Sequence, residues 1–198
     1  LHDLFTIAVD QGQVVEAENL AREAFRAYPK NADRLPALAS DVASHWMHQG
    51  FYERAIIVFK AVLPTLRLVS ERLLILSVIA RAAAGARDLA LFTWAWTEAC
   101  SILDGEPTTV RGCAALYNLA YAPACLEDWE RALLAGRLAL ELAAGRGEQE
   151  VHTRAVRLLD DLQHRAFELS VGPRPEEPEI LEKAETLARR FVRRLAAR

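Results

Sequence analysis

Residues 49–56 read Gln49-Gly50-Phe51-Tyr52-Glu53-Arg54-Ala55-Ile56. Before them, apolar residues recur at helical spacing from Pro36. After them, Phe59 and Leu63 continue the stripe begun by Ala55 and Ile56. A glycine between two such runs marks where one helix ends on a residue that tolerates positive φ and the next begins. The stretch therefore predicts a helical hairpin over 36–65. Three other segments align with it: Gln11-Gly12-Gln13-Val14-Val15-Glu16-Ala17, Ala84-Gly85-Ala86-Arg87-Asp88-Leu89-Ala90 and Leu126-Glu127-Asp128-Trp129-Glu130-Arg131-Ala132. The alanines at 17, 55, 90 and 132 are spaced by 38, 35 and 42 residues. Upstream, Phe5, Ala43, Val78 and Ala120 take equivalent places where the two helices of a hairpin approach. Downstream, Ala21, Phe59, Trp94 and Gly136 do so on the second helix.

Composition extends the helical reading to the whole chain. Of 198 residues, 35 are Ala and 29 are Leu, against only 9 Gly and 8 Pro. Ala and Leu lead the helix propensities, and so little turn chemistry leaves no room for a many-stranded β fold. Apolar spacing with stops at Gly12, Gly50 and Gly85, and at Pro29, Pro64, Pro107 and Pro173, predicts ten helices. They span 2–10, 13–28, 33–49, 51–63, 68–84, 87–103, 108–123, 128–144, 148–169 and 177–197. The short joints imply antiparallel neighbours.

The aligned hairpins resemble the tetratricopeptide repeat, a helical hairpin of ~34 residues. Segment 36–65, with Gly50, Ala55, Ile56 and Phe59, carries the likeness best. The resemblance implies an all-α fold: a right-handed superhelical solenoid of about five antiparallel hairpins. Residues 1–145 would supply four of them, and 146–198 a closing hairpin that covers the last apolar face, all in one continuous domain. The sequence departs from the family in three respects: its spacings exceed 34, Glu127 stands where the turn glycine is usual, and Pro123 falls near the end of its helix.

Several chemistries find no support in the sequence. A phosphate-binding loop, a nucleophile elbow and a His-Glu-x-x-His zinc motif are all absent, so no enzymatic activity is expected. His45 and His48 lie three apart on one helix, but nothing nearby nominates a third metal ligand, so no cofactor or metal is expected. Asp160 and His164 read as an i,i+4 pair. The three cysteines, Cys100, Cys113 and Cys125, form no CxxC pair and suit a reducing, cytoplasmic setting. No apolar run approaches the ~20 residues of a membrane span. Net charge is −3, so no overall positive field recruits nucleic acid. The basic stretch Arg189-Arg190-Phe191-Val192-Arg193-Arg194 ends a helix that opens with Glu176, Glu177 and Glu179. This order complements the helix dipole. Ile180, Ala184, Leu187, Phe191 and Leu195 give that helix one apolar stripe, so its charges read as a solvated face, ahead of the alternative that the basic C-terminal helix contacts nucleic acid.

In tetratricopeptide arrays the first helix of each hairpin lines a concave, peptide-binding surface. Carried to this sequence, the resemblance places Thr6, Ser40, Ser44, His48, Arg72, Ile75, Ile79, Tyr117, Asn118 and Tyr121 on that surface. Tyr117 and Tyr121, an i,i+4 aromatic pair, would be its anchors. The neutral residues there argue against a clamp for a terminal carboxylate. The function expected is a non-enzymatic module binding a protein or peptide. It would serve either as the sensing part of a larger bacterial regulator, for which a start at Leu1 without Met leaves room, or as a free-standing adaptor.

Overall fold

The structure, a computed structural model, describes residues 1–29, 32–105, 110–164, 167, 168 and 178–197. Pro107, Pro173, Glu176 and Glu177, the first two residues expected of the seventh helix and most of 165–169 lie outside the described residues, as does the side chain of Ile180. Among the described residues there are ten α-helices: α1 (His2–Asp10), α2 (Val14–Ala27), α3 (Leu35–His48), α4 (Tyr52–Val62), α5 (Val69–Gly85), α6 (Leu89–Gly105), α7 (Val110–Cys125), α8 (Trp129–Arg146), α9 (Gln149–Gln163) and α10 (Pro178–Ala196). No strand occurs among the described residues. No described helix is long and apolar enough to cross a membrane.

One turn geometry recurs five times among the described residues. Gly12, Gly50, Arg87, Glu127 and Gly147 have φ between 60 and 80°. The amide after each donates to the carbonyl four residues before it: Gln13 to Ala8, Phe51 to Trp46, Asp88 to Ala83, Asp128 to Pro123 and Glu148 to Ala143, at 2.9–3.0 Å. The amide of the left-handed residue itself donates three residues back, at 3.0–3.3 Å. These paired bonds satisfy carbonyls that a helix end otherwise leaves open, and they fix the exit of the next helix. The first four turns close the hairpins α1–α2, α3–α4, α5–α6 and α7–α8, and the fifth joins α8 to α9.

The third turn corrects the sequence alignment. Gly85 ends α5 in helical conformation, and the left-handed residue is Arg87. An L side chain tolerates that conformation at roughly 1–2 kcal/mol, so the turn needs no glycine. Counted from Arg87, the partner of Ala17, Ala55 and Ala132 is Phe92, which is buried, and not Ala90, which is exposed. The upstream position passes from Val78 to Ala80 and the downstream one from Trp94 to Trp96. The corrected positions 17, 55, 92 and 132 are spaced by 38, 37 and 40 residues. Phe5, Ala43, Ala80 and Ala120, each seven residues before its turn, are all buried.

The chain forms two compact units. Unit 1 holds residues 1–65 and 171–198; unit 2 holds 66–170. In unit 1, α10 packs on α4, α2 and α3. In unit 2, α5 packs on α6 and α7, and α8 on α7 and α9. The last two helices therefore fall in different units, in place of the closing hairpin expected over 146–198. The reason is visible in the contacts of α10. Phe191 meets Phe25 edge-on, with ring centroids 4.7 Å apart. The Arg194 guanidinium donates to the carbonyls of Phe25 (2.9 Å) and Tyr28, capping the C-terminus of α2. Arg54 Nε lies 3.3 Å from Glu185 Oε2. Arg194 is thus engaged with a helix end, where the sequence reading placed it on a solvated face.

The core of unit 1 contains a polar cluster. Trp46, fully buried, donates its indole N–H to Glu18 Oε1, and His45 Nε2 lies 4.0 Å from that oxygen. Phe5 covers the imidazole edge-on at 5.9 Å. Burial pushes the Glu18 carboxyl up and lowers the His45 imidazole to about 4. In unit 2, α5 is buried almost continuously from Leu73 to Ala84. Small residues bring its neighbours close: Ala80, Ala83 and Ala84 on α5, Ala115, Ala120 and Ala122 on α7. At Gly136 an added Cβ would stand 2.9 Å from Leu159 Cδ2, so any other residue there would require that leucine side chain to shift.

Two measurements test this description. Ala55→Leu should overpack the first-to-second helix contact and destabilise by ~1–3 kcal/mol, while Ala90→Leu, on an exposed site, should fall within ~0.5 kcal/mol of the parent. Equal thermal melts for the two would restore the Gly85 register. For His45, the unfolded chain takes up a proton near pH ~6.5 and the folded chain only near 4. Its contribution is therefore complete above pH ~6.5 and is lost as pH falls towards 4, by an amount on the order of 3 kcal/mol. Glu18 acts with opposite sign, losing stability as pH rises through its raised value. The stability gap between the parent and His45→Gln should narrow from pH 7.5 to pH 4.5 in denaturant titrations; a constant gap would contradict the assignment.

Candidate functional site

The ten residues expected on a concave surface divide between the units. In unit 1, Thr6 is exposed and its hydroxyl donates to the carbonyl of His2 at 3.3 Å. Ser40, half-buried, donates to the carbonyl of Pro36 at 2.9 Å. Ser44 is half-buried and His48 exposed. His45 and His48 therefore face different surroundings, and among the described residues no group of three or more His, Cys, Asp or Glu side chains could hold a metal. Asp160 and His164 form the expected exposed i,i+4 pair, 3.2 Å apart.

In unit 2, Arg72 is exposed, but Ile75 and Ile79 are core residues. Asn118 and Tyr121 are buried, and Tyr117 is half-buried. The tyrosine pair is therefore packed by its own unit and not displayed as two anchors. The agent is Arg81 of α5, which the sequence reading did not single out. Its guanidinium lies 3.9 Å above the Tyr121 ring and 5.8 Å from that of Tyr117. It donates to Asn118 Oδ1 at 3.1 Å, and Asn118 Nδ2 reaches Ser77 Oγ at 3.4 Å. Phe167 closes on Tyr121 edge-on at 5.1 Å. A buried cation held by a neutral amide and two aromatic faces fixes α5 to α7.

A different surface of unit 2 is open. Between the second helices α6 and α8 runs a groove of ≈ 560 Å³ floored by α7. Trp96, Cys100 and Leu103 line it from α6, Leu116 and Leu119 from below, and Leu134, Leu138 and Leu142 from α8. Trp96 is held in place by Pro123. A proline within a helix has no N–H for the carbonyl four residues before it. Here that carbonyl, of Leu119, accepts from Trp96 Nε1 at 3.2 Å. The Arg131 guanidinium lies 4.9 Å over the Trp96 ring and pairs with Asp128 at 3.1 Å, which holds it at the groove's rim. Leu134 and Leu138 are 63% and 47% exposed, on a helix whose opposite face is already buried through Ala132, Ala135, Ala139 and Ala143.

The groove is apolar, of the size of a ligand cleft, with one charged group of each sign on its α8 wall, Arg131 and Glu141. A signal for it exists in the sequence. Residues 132–143 carry more leucine and alanine than one core-facing stripe requires, so part of the set must face outward. Trp94, expected with Ala90 on a packed face, is 43% exposed, and Trp46 is fully buried. The chain matches no family model, no curated protein and no solved structure.

Proposed function

We propose that this chain is a non-enzymatic protein-interaction module, a tetratricopeptide-like stack of helical hairpins that takes an apolar segment of a protein partner in the groove between α6 and α8. The observation that carries the reading is the groove itself: Leu134 and Leu138 stand in water above a floor of Leu116 and Leu119, beside an indole whose orientation is fixed. Amphipathic helices that dock in such grooves insert apolar side chains at three- and four-residue spacing. The recurrence of one turn geometry at the hairpin joints supports the repeat part of the reading. The site lies on second helices, whereas the resemblance had implied the first. Burial of Ile75, Ile79, Asn118 and Tyr121 is the reason for the move. Contact with nucleic acid through α10 is disfavoured, since Arg194 caps α2 and Arg189 reaches Glu185 at 3.4 Å.

Selection from a random peptide display library on the full chain should return peptides with two or more large apolar residues at helical spacing. Leu134→Lys with Leu138→Lys should weaken them at least tenfold, since each leucine buries ~1.5–3 kcal/mol of apolar surface on docking. Circular dichroism should be unchanged, because both side chains are outside the core. Peptides that bind the double variant as well as the parent would move the site elsewhere.

A further inference from the structure

The outward face of α8 has the spacing of a coiled-coil seam. Arg131, Leu134, Leu138 and Glu141 follow one another at three, four and three residues, and all four are exposed. This is the a, d, a, d order of a heptad. The positions that pack α8 on its own unit, Ala132, Ala135, Ala139 and Ala143, lie on other faces of the same helix, so the seam points away from the core. Leu134 and Leu138 on the seam also line the groove.

Read in either direction, the seam complements itself. Two such helices laid antiparallel set each a position level with a d position of the other. Arg131 then stands level with Glu141 of the second copy, and Leu134 with Leu138 of the second copy; the twofold axis repeats both layers. A parallel pairing would instead set Arg131 against Arg131 and Glu141 against Glu141. An unrelated apolar helix would have to bring its own anion and cation at matching positions, flanking two apolar residues. The chain already brings them. Arg131 is preorganised for the purpose by Trp96 beneath it. Arg137 meets its symmetry mate on the solvated flank, where salt and water screen the contact.

We propose that the α8 seam and the adjoining groove form a twofold interface between two copies of this chain. The proposal rests on the reading that the groove takes an apolar protein segment, and it names the source of that segment as α8 of the second copy. Such a contact is isologous and closed, so assembly stops at two.

Sedimentation of the full chain over a concentration series tests it. The parent should pass from one chain to two as concentration rises. Arg131→Glu alone and Glu141→Arg alone each set like charges at both ends of the seam, and each should weaken association at least tenfold. An equimolar mixture of these two single variants restores opposite charges in both outer layers, and should pair more tightly than either variant alone; the chain carrying both substitutions should do the same. Glu141→Arg changes an exposed side chain outside the core, so the comparison survives if Arg131→Glu disturbs its own helix. A parent that stays a single chain at ~1 mM, single variants that associate like the parent, or a mixture no tighter than its components would each overturn the proposal. If the parent stays single while the selected peptides still bind and are lost in the leucine variants, the second copy is excluded and the groove reading stands. If no peptide depends on the groove either, both fall.

Discussion

A single left-handed residue, followed by an amide that reaches back to the carbonyl four residues before it, sets the direction of the second helix in each of the hairpins α1–α2, α3–α4, α5–α6 and α7–α8. Because the bond pattern is the same at Gly12, Gly50, Arg87 and Glu127, residues at fixed distances from the turn meet the same surroundings each time. Seven residues before, the chain is buried as Phe5, Ala43, Ala80 or Ala120; five residues after, as Ala17, Ala55, Phe92 or Ala132. Side-chain size varies at these places, but the approach of the helices does not have to be rediscovered by each hairpin. Packing follows backbone geometry here, and the small residues are where they are because the turn brings two helices together at those positions.

Most of this was legible from periodicity. The periodicity predicts ten helices and the described residues hold ten, with ends displaced by a few residues. The alanines at 17, 55 and 132 are buried as their spacing implies. The third hairpin departs from the glycine pattern: Gly85 stands near the turn, but its left-handed residue is Arg87. Arg87 shows that the conformation, and not the residue type, recurs, and sequence alone carries no sign of a strained arginine two residues beyond a glycine. The destination of α10 was also hidden. Its apolar stripe said that it packs, but a stripe does not name its partner; the partner is fixed by Phe25 and by the open carbonyls at the end of α2, far away in sequence.

The site was the least legible part. Tyr117 and Tyr121 looked like anchors because tyrosine suits wet interfaces, and the competing claim came from one arginine, Arg81, thirty-six residues before the first of them. A buried cation with no carboxylate at its side among the described residues is held by aromatic faces and an amide, which Arg81 finds on the neighbouring helix. The leucines of α8 are visible in the sequence, but their spacing alone does not say which of them face the core. Only the placement of α6, α7 and α9 around α8 divides those that the unit buries from those it leaves in water.

The proline in α7 has a meaning beyond its own helix. By withholding one N–H it turns Leu119 into an acceptor with a vacant lone pair inside an otherwise apolar contact, and the indole of Trp96 fills it. The two positions are thereby bound into one heritable unit. A lineage that replaced Pro123 would hand the carbonyl back to its own helix and leave an indole N–H stranded; one that replaced Trp96 would strand the carbonyl. Positions 96 and 123 should change together across descendants of this chain, and the wall of the groove with them.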